Sequence, residues 1–166
     1  MKKLFLLSII AVLGMTTVNA QGNLNAGVNL GLPIGDAGDG WTFNVTLDVN
    51  YLWEVGENFD AGVATGYSHS FGDSIDVPGF GSVDIDDAQF LPIAGAARFG
   101  ISDKFTLGAD LGYALGINDG NDGGFYYAPR VQYGVSESLD IVLSYRGVSL
   151  DGGSFDVINL GIQFGL

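Results

Sequence analysis

Residues 105–117, FTLGADLGYALGI, carry two different chemistries on their two parities. Phe105, Leu107, Ala109, Leu111, Tyr113, Leu115 and Ile117 are apolar or aromatic, whereas Thr106, Gly108, Asp110, Gly112, Ala114 and Gly116 are small or polar. Successive side chains of a strand point to opposite faces, so this strict period of two predicts a β-strand with unlike faces. Gly108, Gly112 and Gly116 also stand four apart, the spacing of a small-residue helix contact in a membrane. That reading fails because Asp110 would lie in the middle of the span and the leucines alternate instead of clustering at helical spacing. The stretch is long for a soluble strand but suits one that crosses a bilayer at a tilt, which takes roughly 9–11 residues.

The same alternation recurs along the chain. It predicts strands at 24–34, 41–53, 59–71, 88–100, 105–117 and 125–135, another from 139, and a last one running to 166. Pro92 weakens the fourth strand locally, because proline donates nothing to a ladder. The connections fall into two kinds. GDAGDG, residues 72–87, NDGNDGG and LDGGS are glycine and aspartate loops, while EVGEN, SDK and SES are compact turns, and the two kinds alternate. Antiparallel up-and-down strands explain this pattern: one end of a barrel carries the short turns, together with both termini, and the other carries the loops. The expected fold is therefore all-β, an eight-stranded antiparallel up-and-down transmembrane β-barrel.

The distribution of charge decides between oil and water outside that barrel. Asp48, Asp60, Arg98, Asp110, Arg130, Asp140 and Arg146 all fall on the small, polar parity, and the apolar parities carry no charged residue. A soluble barrel would be apolar inside and charged outside. Here the charges belong inside, since an arginine or lysine on the lipid face of such a barrel costs about 2–4 kcal/mol at the bilayer midplane. The aromatics on the apolar parity, Trp41, Tyr51, Trp53, Phe59, Tyr67, Phe99, Phe105, Tyr113, Tyr127, Tyr133, Tyr145 and Phe164, are expected to form girdles at the two membrane interfaces.

At 166 residues the chain suffices for one domain. Residues 1–20 read as a cleavable export signal: Lys2 and Lys3 precede the apolar run LFLLSIIAVLGM, and Val18-Asn19-Ala20 fits a small-residue cleavage site. Residues 21–166 then form the barrel domain. The chain has no cysteine, which removes thiol chemistry and disulfides, and its formal net charge of −13 argues against nucleic acid as a partner.

With these features, residues 22–166 resemble the small eight-stranded outer-membrane β-barrels, the group that includes the OmpA transmembrane domain, OmpX and the outer membrane protein beta-barrel domain family. The resemblance rests on the leader, the alternation, the girdles, the loop and turn asymmetry and the amphipathic last strand. It implies outer-membrane lipid and lipopolysaccharide as surroundings, and insertion by the outer-membrane assembly machinery. The chain ends in Leu166, with Phe164 two residues before it, where many members end in an aromatic.

No catalytic, cofactor or metal site emerges from these residues. The inward charges are expected to pair as a structural polar core, since about eight strands leave an interior just wide enough for side chains. A conducting path is the alternative, raised by the many inward glycines. His69, the one histidine, stands between Ser68 and Ser70 near Asp73, but shares the parity of Tyr67 and reads as an interfacial residue. The loop aspartates Asp36, Asp39, Asp73, Asp76, Asp84, Asp86, Asp87, Asp119, Asp122 and Asp151 offer hard oxygen ligands for Ca²⁺ or Mg²⁺, but NDGNDGG has neither the spacing nor the terminal glutamate of a calcium loop. The expected role is that of a structural or surface-interacting barrel of a Gram-negative outer membrane, without enzymatic activity. The alternative is a narrow channel or carrier for small solutes.

Overall fold

A computed structural model describes residues 22–77 and 81–166. The leader expected at residues 1–20 lies outside these described residues. Ten strands occur: β1 (Gly22–Ile34), β2 (Trp41–Gly56), β3 (Phe59–Gly72), β4 (Ser74–Val77), β5 (Gly81–Asp84), β6 (Ala88–Gly100), β7 (Phe105–Gly116), β8 (Gly124–Ser136), β9 (Leu139–Leu150) and β10 (Gly153–Gly165). Eight of them close in the order β1, β2, β3, β6, β7, β8, β9, β10, each antiparallel to its neighbours, and β1 pairs with β10 to complete the ring. This is the expected eight-stranded antiparallel barrel, and its closure leaves no unpaired edge.

The alternation read from the sequence becomes the wall of this barrel. Leu30, Leu47, Val63, Ile93, Leu111, Leu143 and Leu160 all face outward and are exposed. Their neighbours in sequence, among them Asn29, Asp48, Asp110, Ser144 and Asn159, are buried inside. A two-residue periodicity imposed on a closed sheet has no other outcome: one parity lines the interior and the other meets the surroundings. Close packing of the wall depends on glycine at particular points. A Cβ at Gly112 would sit inside the van der Waals shell of the Ile93 carbonyl on the neighbouring strand, and one at Gly62 would meet the Tyr51 carbonyl in the same way.

Four features depart from the sequence reading. Within the loop expected at residues 72–87, β4 and β5 pair antiparallel as a small hairpin of their own, separate from the barrel sheet. LDGGS is a tight two-residue turn, with Leu150 paired to Gly153 and Gly152 at φ 99°, a conformation that favours glycine. Asp156 lies on the outward parity of β10, the one beginning Asp156, Ile158, Leu160, contrary to the expectation that the apolar parities carry no charge. It sits at the loop end, where the Ser154 hydroxyl donates to it at 2.5 Å and the Tyr127 hydroxyl at 3.3 Å. Finally, a register shift between Trp41 and Phe43 in β2 breaks the alternation there. It turns Trp41 out of the expected girdle, and the indole packs edge-on against the inward Phe155, ring centroids 5.0 Å apart.

Candidate functional site

The interior is layered, and no single stretch of sequence announces the layers. At the loop end lies an apolar cluster built from Phe90, Tyr126, Val148, Phe155, Val157 and four alanines of the wall, closed from above by Ala37. Ala37 belongs to a short 3₁₀ turn, Gly35–Asp39, that dips into the mouth and leaves this side chain 1% exposed. Phe90 and Phe155 meet at 5.2 Å between ring centroids. Tyr126, Phe90, Phe155, Val148 and Val157 share the parity of the inward charges and amides of their strands, but nothing in the sequence groups them. They look like strand formers in sequence, and only the register of the closed barrel brings them to one height.

Below this cluster is the charged layer. Arg146 donates to both oxygens of Asp48, at 2.9 and 2.5 Å, and its Nη1 also donates to the Tyr126 hydroxyl at 3.2 Å. Asn29 Nδ2 donates to Asp48 Oδ2 at 2.9 Å. Asp110 is shared: Arg98 Nη1 donates to one oxygen at 2.7 Å, and Arg130 Nη2 donates to the other. Arg98, Asp110, Arg130 and Arg146 are each no more than 5% exposed. Charges this deep are held by their partners, because an isolated buried ion is too costly to remain charged. Beside them, Asn44 Nδ2 donates to Ser68 Oγ at 2.9 Å and to Ser70 Oγ at 2.8 Å, and the Thr46 hydroxyl donates to Asn44 Oδ1 at 2.8 Å.

Asp60 and Asp140, grouped with these charges in the sequence reading, stand apart from them. Both lie nearer the short-turn end, and among the described residues neither is within ion-pair distance of an arginine or lysine. Together with Arg98, Gln132, Gln163 and Glu137 they line an open vestibule of about 400 Å³. Asn50 Nδ2 donates to Gln163 Oε1 at 3.1 Å at its inner edge.

The outward aromatics gather toward both ends. Phe59 and Phe99 are cross-strand partners and Phe105 lies 5.0 Å from Tyr133, with Tyr51, Trp53 and Phe164 at the same short-turn end. Toward the loops, Tyr127 stacks between Phe125 and Tyr145 at 6.3 and 6.0 Å, and Tyr113 reaches the Asp122 carbonyl at 3.2 Å. Phe43, Phe71 and Phe125 are also exposed on this face. Their parity places them with the girdle residues.

His69 faces outward at the loop end. Its Nδ1 lies 2.9 Å from the Tyr67 hydroxyl and its Nε2 2.9 Å from Asp87 Oδ2. Ser68 and Ser70 point to the interior instead, where Asn44 engages them, so the flanking serines and His69 are on opposite sides of the wall. Asp87 ties the root of the β4–β5 hairpin to the barrel. The Gly72 N–H donates to its carboxylate at 3.0 Å, and Asn118 donates to its carbonyl at 2.7 Å. The Gly72 amide, with His69 beside it, holds the Asp87 carboxyl below the usual carboxylate range. Among the described residues, no three of the aspartates, glutamates and His69 approach closely enough to hold a metal ion.

Solved structures share this architecture. Yersinia pestis Ail in a phospholipid bilayer nanodisc is 17% identical with a TM-score of 0.60, the match covering 88% of this chain and 100% of that one. The N-terminal β-barrel domain of Pseudomonas aeruginosa OprF is 14% identical with a TM-score of 0.51, covering 88% and 100% of the two chains. Neisserial surface protein A is 14% identical with a TM-score of 0.50, covering 87% and 97%. At such identities the likeness concerns the fold alone. No curated protein matches the chain. The sequence itself goes further than the fold: residues 5–165 match the outer membrane protein beta-barrel domain, and the chain, an oil-facing barrel of eight strands, belongs to that family.

Proposed function

We propose that this outer-membrane barrel is a closed, non-conducting wall element of a Gram-negative outer membrane, whose interior charges serve stability and whose loops meet partners. The observation that carries the reading is the double closure of the interior. The Phe90, Phe155 and Tyr126 cluster under Ala37 fills the loop end, and the Asp48–Arg146 and Arg98–Asp110–Arg130 groups fill the level beneath it. A water path would have to cross both layers. Eight-stranded barrels leave an interior that side chains fill, unlike the sixteen-stranded porins.

The loop end carries Asp36, Asp39, Asp73, Asp84, Asp86, Asp87, Asp119, Asp122 and Asp151, all exposed. Ail has been solved with the heparin analogue sucrose octasulfate. Loops this acidic repel such a polyanion and favour a cationic partner, or lipopolysaccharide phosphates bridged by divalent cations. In this reading the protein reaches the membrane after cleavage following Ala20 and is inserted by the outer-membrane assembly machinery. Purified protein in planar bilayers is expected to show no reproducible single-channel openings. Steady conductance steps, or swelling of liposomes in small sugars, would replace this reading with that of a narrow channel.

A further inference from the structure

We propose that the short-turn mouth of the barrel is a binding cup for a small organic ammonium compound, a function separate from the structural role above. The cup measures about 400 Å³ and is bounded on its inner side by Leu52 and Arg98. Two side chains on its wall are buried and yet have hydrogen-bonding capacity left over. Gln132 is 4% exposed and its amide has no side-chain hydrogen bond among the described residues; Gln163 is 5% exposed and accepts from Asn50 but donates to none of the described residues. Both amides line the cup. Their free amide positions open onto the cup, so a polar guest can hydrogen-bond to them without breaking a side-chain bond of the wall.

Charge fixes the sign of the guest. Asp60, Glu137 and Asp140 line the cup against a single cation, Arg98, whose Nη1 is already given to Asp110 at 2.7 Å. The cup is therefore anionic and selects a cation. The spread of the carboxylates fixes its kind, since among the described residues no three acidic groups come together closely enough to hold a metal ion. Dispersed carboxylates with amides between them suit an extended body bearing one or two ammonium groups. Short turns face the periplasm in bacterial barrels of this type, so the guest would enter from that side.

The test uses the protein folded in lipid nanodiscs and 1,4-diaminobutane as probe, with sodium acetate and calcium chloride as controls, followed by titration calorimetry and by the side-chain amide resonance of Gln132. Saturable binding of diaminobutane that shifts this resonance, with no binding of acetate and no competition from calcium at equal concentration, is the expected result. Asp60→Asn combined with Asp140→Asn should weaken it about tenfold or more, the loss of a charge-assisted hydrogen bond at each end. Glu137→Gln, on an exposed turn, gives a second variant that does not endanger folding and should weaken binding several-fold. Absence of saturable heat, an unmoved Gln132 resonance, equal competition by calcium, or unchanged affinity in the variants would each overturn the proposal.

Discussion

Neutralising Asp110 tests whether the charged layer is a dry, interlocked core. The carboxylate is 1% exposed and accepts from two guanidinium groups, Arg98 at 2.7 Å and Arg130. In Asp110→Asn both arginines keep their burial and lose their counter-charge. Removing one partner of a buried pair typically costs about 3–5 kcal/mol, and the cost here falls on two cations at once. The expected loss is therefore at least about 3 kcal/mol, a drop of roughly two orders of magnitude in the folding constant. Reversible urea unfolding from lipid vesicles, followed by the fluorescence of Trp41 and Trp53, measures it. Asp60→Asn is the control, because Asp60 has no ion-pair partner among the described residues, and it should move stability by less than about 1 kcal/mol. If Asp110→Asn also fell within about 1 kcal/mol of the parent, the guanidinium groups would have to be hydrated, and the argument for a closed interior would fail with it.

Three further outcomes follow from the wall and the loops. Leu160, 59% exposed and paired with Leu30 and Leu143, faces lipid, so Leu160→Arg should cost about 2–4 kcal/mol in the same unfolding assay, and a neutral result would mean that this face is not in hydrocarbon. Gly112→Ala should lower stability by about 1–3 kcal/mol through its collision with the Ile93 carbonyl, whereas Gly95→Ala, whose Cβ would lie 3.9 Å from the nearest atom, should be tolerated; equal effects would refute the packing argument. The depressed Asp87 carboxyl makes the hairpin root sensitive to acid. A carboxyl lowered in the folded state contributes stability above its unfolded value, near about 4, and that contribution is lost as pH falls through the folded value. Hydrogen exchange at the Gly72 amide should accelerate there, and exchange independent of pH below about 4 after correction for intrinsic rates would count against the bond.

At the waist of the eight barrel strands, the sequence by itself determined which side meets oil. That information is local: a strand alternates its faces residue by residue, and a charge on the lipid side is too costly to persist at the waist, so the positions of Asp48, Arg98, Asp110, Arg130 and Arg146 on one parity were enough. Height along the barrel axis is a different matter, because it depends on how far each strand is staggered against the next, and closure sets that stagger. Only the tertiary structure therefore separated Asp60 and Asp140 from the central pairs and matched Asp48 with Arg146, 98 residues away in sequence. It also brought Phe90 and Phe155 into one apolar plug and turned Trp41 inward through a bulge that alternation cannot reveal. Parity is written in neighbouring residues, whereas register is written in the ring of eight strands as a whole.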